Sequence, residues 1–114
     1  MHELGIASAI LDAVRKEAEL HGGGHVSKVA VRIGALSGVE PEALGFGFDA
    51  LVKGTDLEPL MLEIVQVPRR QRCPACELTF EALEDNLACP RCANEETILA
   101  GGEELDLAYL EVED

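Results

Sequence analysis

Two Cys-x-x-Cys pairs restrict this chain more than any other feature of its sequence. They are separated by twelve residues, and each contains a proline directly after its first cysteine; the four cysteines are Cys73, Cys76, Cys89 and Cys92. Two such turns can place four thiolates tetrahedrally around one metal ion at about 2.3 Å. Because four thiolates leave no open coordination position, the spacing predicts a structural zinc site.

Two other interpretations of the cysteines remain open at this point. A pair of redox-active Cys-x-x-Cys motifs is one, although two copies at this spacing are more typical of a zinc ribbon. A rubredoxin-like iron centre uses the same four ligands, so an electron carrier is an alternative to a zinc protein.

Charge and length limit the partners that the chain can bind. The chain has 114 residues and a formal net charge of −13. Such a chain is repelled by nucleic acid and by anionic membranes, and it favours cations and basic protein surfaces. No run of about 20 apolar residues or basic leader is visible, so a cytoplasmic protein is expected. A zinc-ribbon nucleic-acid binder stays as an alternative, because Arg69, Arg70, Arg72 and Arg91 lie in or beside the cysteine segment.

Hydrophobic periodicity predicts an α+β body. Apolar residues at helical spacing in 7–18 indicate a helix that ends at Gly22, and the alternation in 25–34 indicates a strand. Pro41 predicts the start of a second helix, which ends near Gly54 and is weakened by Gly45 and Gly47 by roughly 1 kcal/mol each. Strands are predicted at 60–67 and 104–112.

These elements predict a small sheet of about three strands packed with two helices, together with an inserted zinc-ribbon-like module. The body comprises residues 1–67 and is completed by the last strand near 104–112, whereas the metal-binding module comprises residues 68–103. Phe80 and either Leu83 or Leu87 are expected to pack beneath the metal.

The first three residues form a second candidate metal site. The Met1 amine, the backbone nitrogen of His2 and the His2 imidazole can form two fused chelate rings, which favours square-planar Ni(II) or Cu(II). Glu3 adds a carboxylate and a further backbone nitrogen.

The motifs together resemble the HypA/HybF family of hydrogenase maturation nickel chaperones. The sequence Met-His-Glu-Leu opens the chain, Ile-Gly-Ala-Leu-Ser-Gly-Val-Glu-Pro-Glu-Ala-Leu occupies 33–44, and the two Cys-Pro-x-Cys pairs follow in order. The resemblance implies Ni²⁺ as transient cargo at His2, with Met1 and Glu3 contributing, and structural Zn²⁺ on the four cysteines.

The resemblance also implies partners and a task. Nickel would be delivered for maturation of the large subunit of a nickel–iron hydrogenase, with a HypB-type GTPase as partner, and related proteins can also serve urease. A homodimer is a further expected state. The chain is expected to be no enzyme, because its sequence has no phosphate-binding glycine loop and no nucleophile–base arrangement.

The sequence departs from the family pattern directly after each Cys-x-x-Cys. Many members have glycine there, where a left-handed backbone is convenient. Here Glu77 and Ala93 occupy these positions. The departure concerns the geometry of the two turns and leaves the ligand set unchanged.

Overall fold

A computed structural model describes residues 2–83 and 85–113 of the chain. Its elements, in chain order, are α1 (Glu3–Leu20), β1 (His25–Gly34), α2 (Pro41–Val52), β2 (Met61–Val67), β3 (Arg70–Arg72), β4 (Thr79–Glu81), β5 (Ile98–Gly101) and β6 (Leu105–Glu113). Packing contacts divide the chain into two compact units. Unit 1 comprises Met1–Arg32, Gly38–Val65 and Asp106–Asp114, and unit 2 comprises Ile33–Ser37 and Gln66–Leu105.

Helix α1 buries the apolar stripe that its periodicity predicts. Ala7, Leu11 and Val14 are buried. The helix ends at the predicted glycine run, where Gly22 and Gly23 have φ of 79° and 81° and the Gly23 N–H donates to the Ala18 carbonyl at 2.8 Å. Glycine adopts this left-handed backbone without steric cost, which explains why the helix stops there.

A three-stranded sheet in the order β2-β1-β6 completes the body. The central strand β1 buries Val29, Val31 and Ile33. The Arg32 guanidinium on the same strand donates two hydrogen bonds to the Asp106 carboxylate on β6, at 2.8 and 3.0 Å. The predicted α+β architecture of one small sheet and two helices is therefore confirmed.

Helix α2 contains two glycines with different environments. A Cβ added at Gly45 would meet no atom within 4 Å, whereas one added at the buried Gly47 would lie 3.4 Å from Leu4 Cδ1 and 3.7 Å from Leu4 Cα. Gly47 therefore allows α1 and α2 to approach closely. Propensity alone did not indicate this role, because it counts both glycines as equal weaknesses of the helix.

Unit 2 contains a second three-stranded sheet, in the order β4-β3-β5 with both pairings antiparallel. The side chain of Gln71 in its centre is 2% exposed. Its amide donates to the Thr97 hydroxyl at 3.0 Å, and its carbonyl oxygen accepts from the Arg69 guanidinium at 3.1 Å. Hydrogen bonds thus compensate the burial of this polar group.

The segment Ile33–Ser37 belongs to unit 2 through backbone hydrogen bonds. The N–H groups of Gly34, Ala35 and Leu36 donate to the carbonyls of Glu104, Val67 and Gly102 at 2.7, 2.9 and 2.7 Å. A Cβ at Gly34 would collide with the Gly102 backbone. The Gly34 of the 33–44 motif is thus required by a close backbone approach.

Within residues 2–83 and 85–113, no helix has the length and apolar character needed to cross a membrane.

The two glycines of α2 give a matched pair of substitutions. We expect Gly45→Ala to raise the free energy of unfolding by about 0.5–1 kcal/mol, because alanine restricts the unfolded chain and meets open space. We expect Gly47→Leu to lower it by about 1–3 kcal/mol, since atoms beyond Cβ would force Leu4 away. Urea unfolding of both variants measures the difference. Equal effects of the two substitutions would contradict the close approach of the helices.

Candidate functional site

The four cysteine sulfurs converge on one point in unit 2. All four Sγ atoms lie within 4.8 Å of one another. The Sγ atoms of Cys73 and Cys92 are 3.5 Å apart, as are those of Cys76 and Cys89. A tetrahedral ion with bonds of about 2.3 Å to sulfur requires S···S separations of about 3.8 Å. The cluster therefore has the dimensions of a four-thiolate metal site.

The same backbone turn is built twice around the cluster. The Glu77 N–H donates to the Cys73 carbonyl, and the Ala93 N–H donates to the Cys89 carbonyl, both at 2.8 Å. In the reverse direction, the N–H of Cys73 donates to the Leu78 carbonyl at 2.8 Å, and that of Cys89 to the Asn94 carbonyl at 2.9 Å. These bonds close each turn so that both of its sulfurs face the metal position.

The residues after each Cys-x-x-Cys adopt the left-handed conformation that glycine favours. Among residues 2–83 and 85–113, the non-glycine residues with positive φ are Glu77, at 64°, and Ala93, at 63°. The turns thus keep the expected geometry despite the departure from glycine, at a cost of roughly 1–2 kcal/mol for each residue.

Burial and charge are uneven across the cluster. Cys73 and Cys89 are buried, Cys76 is half-buried and Cys92 is exposed. The backbone N–H of Cys76, helped by the Asn94 side chain, lowers the pKa of Cys73 to about 6. The Asn94 N–H favours the Cys92 thiolate, but the neighbouring sulfurs, that of Cys73 most strongly, raise the pKa of Cys92 to about 11. The Cys73 sulfur thus favours the thiolate, while full deprotonation of the set needs a cation.

Asn94 is a site residue that the sequence analysis did not identify. Its side-chain amide donates to Cys73 Sγ at 3.6 Å, and its Oδ1 accepts from the Glu96 N–H at 3.0 Å. An amide two residues after the second Cys-x-x-Cys was the available signal. The expected packing of Leu83 beneath the metal is wrong, because its side chain is 71% exposed.

The N-terminal candidate residues are arranged differently. His2 is the exposed residue that precedes α1, and Met1 lies outside the described residues. The half-buried Glu3 carboxylate accepts a hydrogen bond from the Glu40 backbone N–H at 3.0 Å, which lowers the pKa of Glu3.

Among the described residues, His2 belongs to no group of three or more metal-ligating side chains. In the described part of the chain, the cysteine cluster is the group of three or more His, Cys, Asp or Glu side chains that could hold one ion. A metal at the N-terminus would therefore depend on backbone ligands.

Comparison with protein families gives a match over residues 1–112. The matching family is described as "Hydrogenase/urease nickel incorporation, metallochaperone, hypA". The match includes both the N-terminal motif and the four cysteines.

Curated relatives are similar to the chain over nearly its whole length. A hydrogenase maturation factor HypA from Acidithiobacillus ferrooxidans is 40% identical over 113 residues, which cover 99% of this chain and 100% of that protein. Another, from a Roseiflexus species, is 41% identical over 116 residues and covers 100% of this chain and 94% of its own.

Solved structures share the fold at lower identity. The solution structure of the Ni metallochaperone HypA from Helicobacter pylori has a TM-score of 0.66 at 23% identity, covering 98% of this chain and 97% of its own. A second HypA solution structure has a TM-score of 0.70 at 23% identity, covering 98% of this chain and 96% of its own.

The left-handed residues give a prediction with an internal control. We expect Ala93→Gly to raise the affinity for Zn²⁺ about fivefold, because it removes roughly 1 kcal/mol of backbone strain from the metal-bound fold. We expect Ala75→Gly to lower that affinity slightly, since Ala75 has an ordinary φ and glycine only increases the freedom of the unfolded chain. Competition with a chromogenic chelator measures both affinities. The same direction of change in both variants would contradict the prediction.

Proposed function

The chain belongs to the HypA family of hydrogenase and urease nickel incorporation metallochaperones, and on that premise we propose that it binds Ni²⁺ at its N-terminus and delivers it to a nickel–iron hydrogenase. The observation that carries the proposal is the position of His2, which stands exposed at the start of α1 within a family match that begins at residue 1. An exposed terminus suits a site that must release its ion to another protein.

The start of a helix offers backbone nitrogen ligands at little structural cost. The first N–H groups of an α-helix have no acceptor within the helix, so binding of a metal to the nitrogens of His2 and Glu3 breaks no helical hydrogen bond. The proposed nickel ligands are the Met1 amine, these two nitrogens and the His2 imidazole, which together suit square-planar Ni(II).

The Glu3 carboxylate has a different task in this proposal. Its hydrogen bond with the Glu40 N–H holds the start of α1 against the start of α2. Glu3 therefore contributes its backbone nitrogen to the metal, while its side chain fixes the place from which the terminus projects.

The cysteine cluster serves structure in this proposal. The module of residues 68–103 would take one Zn²⁺, held by the four thiolates, with Asn94 supporting Cys73. All four ligands come from the protein, so the ion lacks a position for substrate and supplies folding energy instead.

Two protein partners follow from the proposed task. A HypB-type GTPase supplies the nucleotide chemistry, and the large subunit of the hydrogenase receives the nickel. The net charge of −13 favours basic surfaces on these partners.

The His2 proposal gives a sharp prediction. His2→Ala should abolish binding of one Ni²⁺ per chain and hydrogenase maturation at limiting nickel, while the zinc content and the helical circular dichroism signal stay unchanged. His21→Ala is the matched control, because His21 is equally an exposed residue flanking α1, at its other end. Isothermal titration with nickel and whole-cell hydrogenase activity are the two measurements.

A second variant tests the contribution of the terminal amine. An N-terminal extension converts the Met1 amine into an amide, so it should weaken nickel binding even though His2 is present. Unchanged nickel affinity in His2→Ala protein would refute the assignment of the site. Unchanged affinity in the extended protein would remove only the amine from the ligand set.

The zinc proposal is tested by metal content and colour. Purified protein should contain about one zinc per chain and be colourless, whereas a rubredoxin-like iron centre would absorb visible light. Cys73→Ala should lose tightly held zinc and loosen the module, while α1 and the β2-β1-β6 sheet keep their fold. Loss of the zinc leaves the buried Cys89 sulfur without a neighbouring cation, and this loosens the module. Full retention of zinc in Cys73→Ala protein would contradict the four-thiolate site.

A further inference from the structure

A large aromatic side chain projects into solvent from the middle of α2. Phe46 is 80% exposed, although it lies between the buried residues Leu44 and Phe48. Leu4 on α1 is 58% exposed and lies against Gly47, the next residue after Phe46. Leu4 therefore contacts the turn of α2 from which Phe46 projects.

The helix faces that carry Phe46 and Leu4 also contain small residues. Several exposed residues on these helix faces are small, namely Gly5, Ser8, Ala9, Ala43 and Ala50. Because Phe46 and Leu4 both project into solvent, a complementary surface must offer pockets for them. Aromatic anchors of this kind contribute much of the binding energy in protein interfaces.

Charge around the anchors has a single sign. Residues 1–14 and 38–52 contain no lysine or arginine, and they carry Glu3, Asp12, Glu40, Glu42 and Asp49. Glu42 and Asp49 are exposed and lie four residues before and three residues after Phe46, so they occupy the same side of α2. The anchors thus have an acidic rim.

We propose that the exposed pair Leu4 and Phe46 is the docking surface for a protein partner that presents an apolar pocket ringed by lysine and arginine side chains. The acidic rim selects this occupant over a second copy of the chain. A symmetric dimer through this surface would place two acidic rims against each other, which costs energy because like charges become desolvated together.

The position of the docking surface next to His2 connects it with nickel. One residue, Glu3, separates Leu4 from His2 along the chain, so a partner that covers Leu4 lies beside the proposed nickel ligands. On this ground we assign the surface to the HypB-type GTPase, a choice that rests on the proposed function.

The experiment compares two exposed apolar residues of similar exposure. Phe46→Ser removes the anchor, and Leu20→Ser is the control, because Leu20 is 76% exposed at the opposite end of α1, roughly 24 Å from Leu4 along the helix axis. Full-length wild type and each variant are titrated with the purified HypB-type GTPase of the same organism. Nickel stoichiometry and thermal unfolding are measured on the same preparations.

We expect Phe46→Ser to weaken the complex at least tenfold and Leu20→Ser to change its affinity by less than twofold. Both variants should still bind one Ni²⁺. Asp49→Lys should also weaken the complex, and the wild-type affinity should fall as salt increases, because the rim acts through charge.

Four outcomes would overturn the docking surface. Unchanged affinity of Phe46→Ser, or equal losses in Phe46→Ser and Leu20→Ser, would show that Phe46 is no specific anchor. A wild-type dimer that Phe46→Ser dissociates in sedimentation would assign the surface to a second copy. If the GTPase does not bind the wild type at any salt concentration, the proposed partner fails together with the surface, whereas nickel binding at His2 is judged separately by the titration with metal.

Discussion

The convergence of four cysteine sulfurs is the constraint on which unit 2 depends. Its strands have three, three and four residues, and a sheet of this size buries too little apolar surface to be stable alone. Bringing four thiolates within 4.8 Å of one another costs electrostatic energy unless a cation occupies the centre. A cation held by the four cysteines would therefore stabilise both the sulfur cluster and the fold of the unit.

The turns that bring the four sulfurs together contain strained backbone. Two copies of one turn direct the sulfurs inward, and each copy places a residue with a side chain, Glu77 or Ala93, in a left-handed conformation. Such strain persists only where surrounding interactions fix the backbone. The paired hydrogen bonds from residues 77 and 93 to the cysteine carbonyls provide that fixation.

Periodicity and motif spacing were sufficient to predict the body and the cysteine site. The apolar stripe of α1, Pro41 at the start of α2 and the two Cys-x-x-Cys pairs each gave a local signal that the structure confirms. The alternation in 25–34 correctly located strand β1, although the structure buries Val29, Ala30 and Val31 in succession. Strands β3, β4 and β5 gave no such signal, because three or four residues are too few to show a period.

The contacts that the sequence did not reveal join residues distant along the chain. The hydrogen bond of Glu3 with Glu40 and the contact of Leu4 with Gly47 each span more than thirty residues. Neither residue type nor spacing indicates such a pair in a single sequence. The two candidate sites therefore differ in how far the sequence predicts them. Local spacing identifies the cysteine ligands, whereas the contacts that support the N-terminus come from long-range packing.

The distribution of charge relates the two helices to the proposed cargo and partner. Elsewhere in unit 1, guanidinium groups neutralise carboxylates directly, because Arg15 donates two hydrogen bonds to Asp56, at 2.9 and 3.1 Å, and Arg32 does the same to Asp106. These contacts lower the pKa of Asp56 and Asp106, so both pairs stay ionised and nearly neutral as units. The segments 1–14 and 38–52 carry five carboxylates and no such bases. These two segments, which include His2, Leu4 and Phe46, therefore carry only acidic charged side chains, and the same field attracts a divalent cation and a basic protein surface.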